Sequence, residues 1–135
     1  MPASNGSGRK PVRVFAAGCY NRVHKAHIEM LRAARTMGDE LVVVLANDKH
    51  NKKPNAVPAE ERKHWLESLH IADRVIVGRP DSFAESLRAE KPDILVLGYD
   101  QRLPDEETAT VVRELGVELV VLPWYPGKEQ TCLPS

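Results

Sequence analysis

The sequence predicts an α/β fold, a single domain in which a five-stranded parallel sheet is flanked by helices. Three observations predict it. Five short apolar runs rich in β-branched residues recur along the chain, segments with helical spacing lie between them, and the unusual polar residues fall just after the runs rather than before them. Such runs are expected to be strands buried on both faces. Their alternation with helices makes neighbouring strands parallel and joins them by right-handed crossovers.

The elements follow in order. "MPASNGSGRK" is small, polar and without periodicity, so residues 1–11 are read as a disordered leader ahead of one domain over residues 12–135. The predicted strands are "VRVFAA" (12–17), "ELVVVLA" (40–46), "DRVIVG" (73–78), "DILVLG" (93–98) and "VELVVLP" (117–123). Between them, Ile28, Leu31, Ala34 and Met37 make one helical face, Trp65, Leu66 and Leu69 a second, Phe83 and Leu87 a third, and Val111, Val112 and Leu115 a fourth. Pro58 before "AEER" suits a first helical turn, Ser82 and Glu85 have capping-box spacing, and Gly38 and Gly116 stand where helices should stop.

At 135 residues the chain is long enough to bury a core without disulfides or a structural metal. Its 19 basic and 19 acidic residues balance, so the protein as a whole is drawn neither to nucleic acid nor to an anionic membrane, and any anion site must be local. Cys19 and Cys132 lie far apart with no metal-binding spacing, which predicts free thiols in a reducing compartment. No apolar run approaches the ~18 residues of a membrane span and no signal peptide opens the chain, so the expected location is cytoplasmic.

Parallel sheets bind ligands beyond the carboxyl ends of their strands. The segments expected there are "GCYNRVHKAH", "NDKHNKKPN", "GYDQR" and "WYPGKEQTC". In the first, His24 and His27 stand three residues apart at a helix start, on one face and roughly 5–6 Å apart at Cβ, so that both imidazoles reach one small anion. The helix N-terminus adds unpaired N–H groups and a positive dipole end, and Gly18 lets backbone approach a phosphate. An HxxH pair without a third ligand on the same element is incomplete for zinc, so no metal ligands are assigned to the protein itself.

These residues carry a resemblance. "GCYNRVHKAHIEMLRAARTMGDELVVVLAND" resembles the cytidylyltransferase-like nucleotidyltransferases, whose first motif, G-[TC]-[FY]-D-x-x-H-x-G-H, is matched here at Gly18, Cys19, Tyr20, His24 and His27. "ERKHWLESL" resembles the family's helix opened by an arginine, here Arg62, and "LGYDQ" its G-x-D segment, here Gly98 and Asp100. Asn21 replaces the motif's aspartate, Ala26 replaces the glycine between its histidines, and the final "GKEQTCLPS" does not align with the family's Ser/Thr-rich closing segment.

The resemblance, over about residues 12–123, implies a Rossmann-like domain and a reaction between a nucleoside triphosphate and a small phosphorylated acceptor. The acceptor phosphate attacks the α-phosphate and pyrophosphate leaves. It further implies His24 and His27 as the catalytic donors to developing charge. Lys52 and Lys53 would neutralise the β- and γ-phosphates, alongside Mg²⁺ or another divalent cation carried with the nucleotide. Gly18, Cys19, Tyr20, Arg62, Gly98, Asp100 and Gln101 complete the nucleotide site, with Asp100 meeting a ribose hydroxyl, a base or Mg²⁺ through water, or else serving as a turn residue. Neither nucleic acid nor membrane is an implied partner. Members often form dimers, and a homodimer stays open beside the monomer.

The stretches "NKKPNAVPAEERKHWLESL" and "KPDILVLGYDQRLPDEET" resemble the archaeal-type FAD synthases, which join FMN to AMP from ATP. Glycerol-phosphate cytidylyltransferases commonly have tryptophan where Gln101 stands, and "GCYNRVHKAH" is similar also to the phosphoethanolamine cytidylyltransferases. The expected activity is FMN adenylyltransfer. Cytidylyltransfer to glycerol 3-phosphate or phosphoethanolamine, and nucleotide binding without turnover, are the alternatives. Tyr99, Trp124 and Tyr125 just past the last two strands are the acceptor-binding aromatics expected to carry a flavin ring, with a core plug as the other role for Trp124 and Tyr125.

Overall fold

The computed structural model describes residues 10–18, 20, 25–50, 56–80, 82–98, 103 and 105–122. Residues 1–9 of the predicted leader (1–11) and the C-terminal residues 123–135 lie outside them.

Five strands form one parallel sheet: β1 (Arg13–Gly18), β2 (Glu40–Leu45), β3 (Arg74–Val77), β4 (Ile94–Leu97) and β5 (Glu118–Val121), in the order β3-β2-β1-β4-β5. Between them run α1 (Lys25–Arg35), α2 (Ala59–Ser68), α3 (Phe83–Glu90) and α4 (Glu106–Leu115). Period-two alternation sorts the strand side chains into two cores. Val14, Ala16, Leu41, Val43, Leu45, Val75 and Val96 face Leu31 and Ala34 of α1 and Leu66 of α2. Phe15, Val42, Val44, Leu95 and Leu97 face Ala84 and Leu87 of α3 and Val111 and Val112 of α4. Helices therefore cover both faces. The chain steps outward from β1 to β3, then crosses to the other side of β1 for β4, so strand order reverses between β1 and β4.

The register of three strand pairs is held by one repeated device. The Asp39 amide donates to the Val12 carbonyl at 2.8 Å and its carboxylate accepts from the Val12 amide at 2.7 Å. Asp73 does the same with Leu41, at 2.9 and 2.8 Å, and Asp93 with Arg13, at 2.8 Å in both bonds. Each aspartate immediately precedes a strand or its first residue, so each two-bond clasp fixes how β1–β2, β2–β3 and β1–β4 start against each other. A web of ion pairs reinforces this edge: Arg13 with Glu40 (2.7 Å) and Glu90 (3.5 Å), and Arg74 with Glu90 (3.1 Å) and Glu40 (3.7 Å).

The helix ends are set by local chemistry. Ser82 caps α3 by accepting from the Glu85 amide at 3.1 Å, and Asp105 caps α4 by accepting from the Thr108 amide at 2.8 Å and its hydroxyl at 2.7 Å. Gly116 ends α4 with φ 69°. Gly38 lies beyond α1 in the turn to β2, where a Cβ would come within 2.8 Å of the Val12 carbonyl oxygen. Two predicted core positions differ. Trp65 on α2 and Leu115 at the end of α4 are exposed, because Leu66 and the Val111–Val112 pair fill the buried stripes of those short helices. The last strand differs too: Leu119 and Val121 on the sheet-edge strand β5 are exposed.

Asp93→Ala removes the acceptor of a part-buried amide at the central strand and should cost about 1–3 kcal/mol. Asp73→Ala, at the edge strand and half exposed, should cost less because water replaces the lost carboxylate. Urea unfolding of the two variants checks the order. The Asp105 carboxyl is held below its ordinary value by the Thr108 hydroxyl first and the Thr108 amide second. A lowered folded value means the cap contributes fully above the unfolded value near 3.8 and is lost as pH falls through the folded one. Asp105→Ala should thus cost about 1 kcal/mol at pH 7, with the gap to the parent closing as pH drops below 4.

Candidate active site

The site is built from the carboxyl ends of β1, β2 and β4. β1 ends at Gly18, and Tyr20, two residues on, has left-handed backbone, with φ 55°. Left-handed backbone is uncommon for a bulky residue and is strained by about 1–2 kcal/mol. The Tyr20 side chain lies in the core cluster of the α1/α2 face, where it is 4% exposed. There its ring lies over Gly18, so closely that a Cβ at that position would come within 2.9 Å of Tyr20 Cε2. Gly18 therefore makes room for the tyrosine, whatever it also offers a ligand.

Tyr20 in turn supports His27. The two ring centroids are 5.3 Å apart and tilted by 57°, and His27, in the first turn of α1, is 9% exposed. The imidazole is held against an aromatic face, which limits its rotation. Among the described helices α1 is distinctive at its N-terminus. Its first turn carries no acidic residue, whereas α2 has Glu60 and Glu61, α3 has Glu85 and α4 has Glu106 and Glu107. The positive end of α1 is not neutralised by a carboxylate of its own first turn, so an incoming anion meets it undiminished. Gly98, buried at the end of β4, stands on the other side of the strand-order reversal. Gly18, Tyr20 and His27 thus lie at the end of β1 and the start of α1, and Gly98 at the end of β4, the two strands between which the order reverses and where open α/β sheets take their ligands.

On α2 stands Arg62, the largest fully buried side chain among the described residues. Its Nε donates to the Val57 carbonyl at 2.6 Å and its Nη2 to Asp48 Oδ1 at 2.8 Å. The same Asp48 oxygen accepts from the Ala59 amide at 2.9 Å. α2 begins after Pro58, which supplies no side-chain cap, and Asp48 does that work from a short 3₁₀ turn (Asp48–His50) after β2. Neither this turn nor the role of Asp48 is signalled by the spacing of residues, since the partners lie far apart along the chain. Asn47 adds a bond from its Nδ2 to the Gly78 carbonyl at 3.0 Å, tying the ends of β2 and β3. A cleft of about 380 Å³ beside α3, lined by Asn47, Gly78, Arg79 and Ser86 among others, includes no predicted site residue.

Cys19, His24, Lys52, Lys53, Tyr99, Asp100, Gln101, Trp124 and Tyr125 lie outside the described residues. Of the predicted site, the structure brings together Gly18, Tyr20 and His27, sets Gly98 at the end of the neighbouring strand β4, and buries Arg62 against Val57 and Asp48. Among the described residues no three His, Cys, Asp or Glu side chains converge to hold a metal ion, and no helix is long and apolar enough to cross a membrane.

A match to the cytidylyltransferase-like family covers residues 15–130, from within β1 through the end of β5. The chain belongs to that family. Within it, FAD synthase from Pyrococcus horikoshii is 33% identical over 132 residues, covering 93% of this chain and 88% of the relative. FAD synthase from Aciduliprofundum boonei is 37% identical over 114 residues, covering 82% and 76%. Among solved structures, a lipopolysaccharide core biosynthesis protein from Thermoplasma volcanium is similar with a TM-score of 0.71 at 31% identity, over 86% of this chain and 98% of that one.

For this family member, Gly18→Ala forces the added methyl against a buried ring and should cost about 1–3 kcal/mol. In a Tyr20→Leu background the same change should cost clearly less, because the ring it collides with is gone. Strictly additive losses in a double-mutant cycle would show that the ring is not what Gly18 accommodates.

Proposed function

We propose that the protein is a nucleotidyltransferase that joins FMN to AMP from ATP and releases pyrophosphate, the reaction of an FAD synthase. The observation that carries this reading is the agreement, over nearly the whole chain, with relatives that bear that name. The geometry at the β1–α1 junction supports it, because it offers what such a reaction needs: an unneutralised helix N-terminus and a firmly seated imidazole next to the strand-order reversal.

In the reaction an oxygen of the FMN phosphate attacks the α-phosphorus of ATP. A new P–O bond forms, the bond from the α-phosphorus to the bridging oxygen breaks, and pyrophosphate leaves with the electron pair. Little covalent help is required; positioning and hydrogen-bond donors aimed at developing charge do most of the work. His27 donates to an oxygen of the α-phosphate as its charge grows, held in place by the Tyr20 ring. His24 is its partner in the same role, and the amides at the start of α1 receive the remaining phosphate oxygens. Lys52 and Lys53 meet the β- and γ-phosphates. Mg²⁺ fits as a passenger of the triphosphate: it prefers phosphate oxygens and water to an all-protein cage. Asp48, the described carboxylate nearest the loop after β2, is already committed to Arg62 and the Ala59 amide. When bound with the triphosphate, the metal would neutralise charge on the departing pyrophosphate.

Purified protein with ATP, Mg²⁺ and FMN is expected to release pyrophosphate and form FAD, with much less product from CTP and glycerol 3-phosphate or phosphoethanolamine. Turnover confined to CTP would replace the adenylyl reading by a cytidylyl one. His27→Ala is expected to lower single-turnover rates by about a hundredfold or more while leaving ATP affinity nearly unchanged. Full turnover in that variant would remove His27 from the chemistry.

A further inference from the structure

Arg62 is fully buried, and its guanidinium donates to two of the chain's own groups, the Val57 carbonyl and the Asp48 carboxylate. Its partner Asp48 is the reverse, with a side chain 60% exposed that reaches in from the carboxyl edge to meet the guanidinium. From these facts we infer that Arg62 and Asp48 are positioning residues: together they clamp the two ends of the β2–α2 connection and so present the triphosphate-binding loop. This rests on the reading that this loop meets the triphosphate.

The geometry is that of a clasp. Asp48 stands where the chain leaves β2, and Val57 and Ala59 where it joins α2. Arg62 Nε holds the Val57 carbonyl and Nη2 holds Asp48, while Asp48 also receives the Ala59 amide. One guanidinium and one carboxylate thereby pin residue 48 to residues 57 and 59. The two stems of the connection are thereby fixed, and Lys52 and Lys53 stand midway between them in the sequence. Closing a loop in advance removes part of the ordering cost that nucleotide binding would otherwise carry. The planar fork matters here. Lysine would keep the charge, but its donors all sit on one nitrogen at the end of a flexible stem, so it could not reproduce the separated Nε and Nη2 bonds of the rigid fork.

Charge alone makes the opposite forecast, and the sign separates the two. Asp48 is an anion beside an anion site, so if it acted only through its field, removing it would tighten ATP binding. If it acts by holding the loop, removing it weakens ATP binding even though a repelling charge has gone. Calorimetric titration with ATP and with AMP, each with Mg²⁺, reads this without an acceptor. Asp48→Ala and the isosteric Asp48→Asn are expected to weaken ATP binding, by about tenfold for Ala and less for Asn, with a smaller change for AMP. Arg62→Lys is expected to lose ATP affinity in the same sense, and the loss from Asp48→Asn should largely vanish in a Lys52→Ala, Lys53→Ala background. Unchanged or tighter ATP binding in folded Asp48→Asn overturns the proposal, and that variant decides the matter if Asp48→Ala does not fold. Equal losses for ATP and AMP overturn it too, since they mark general damage. A parent protein that binds ATP no better than AMP sinks the triphosphate reading beneath it, and this proposal with it. Failure of FMN as acceptor leaves the clasp standing.

Discussion

Everything at the site depends on how β1 is seated. It is the central strand, paired on both sides, and it is the strand from which the chain turns into the candidate active site. A slip of one residue would exchange its faces, sending Phe15 to the α1 side and Val14 and Ala16 to the α3 side. Hydrophobic burial resists such a slip but does not say where a pairing begins. The clasps made by Asp39 and Asp93 do, because each satisfies both backbone groups of one residue at the start of β1. With that start fixed, β1 runs to Gly18 in full register with β2, and the left-handed Tyr20 follows at one height on the sheet.

That height governs the next interaction. Tyr20 accepts a left-handed backbone only because its ring gains a buried seat in return. The seat exists because Gly18 has no side chain and because α1 lies close enough to bring His27 against the ring. Strain of about 1–2 kcal/mol is offset by burying an aromatic side chain, which is worth somewhat more. The first motif of the chain is therefore a mechanical unit as well as a chemical one. Glycine and tyrosine set the orientation of the histidine, and the histidine completes the packing of the tyrosine.

Much of this was legible in the sequence, and the reason differs by element. The strands fell within one or two residues of their predicted bounds, because runs buried on both faces leave a dense apolar signal bounded by polar residues. Ser82 and Gly116 were legible as caps because capping is local. Trp65 and Leu115 were not, since a short helix has room for only a narrow buried stripe and periodicity does not say which of several apolar residues will occupy it. The aspartates before β2, β3 and β4 stood at the edges of the apolar runs, yet their pairing with Val12, Leu41 and Arg13 is a long-range fact with no periodicity. Arg62 was singled out only through resemblance, and Asp48 not at all. Their bond exists because α2 returns to the end of β2, which depends on the fold rather than on spacing.

The zero net charge conceals a segregation that serves the chemistry. The acidic residues that fix register (Asp39, Asp73 and Asp93), with Glu40 and Glu90 in their ion pairs, gather at the amino edge of the sheet. A six-residue strand such as β1 is roughly 20 Å long, which is about twice the Debye length at physiological ionic strength. Their negative field is therefore largely screened at the carboxyl edge, and much of it is cancelled locally by Arg13 and Arg74. At the carboxyl edge "GCYNRVHKAH" carries no acid, and the one acid of "NDKHNKKPN" is Asp48, which is turned toward a buried arginine. A polyanionic ligand thus finds an acid-free first turn at α1, whereas the first turns of α2, α3 and α4 at the same edge carry Glu60, Glu61, Glu85, Glu106 and Glu107. The carboxylates needed to build a parallel sheet are kept at the end where no phosphate has to bind.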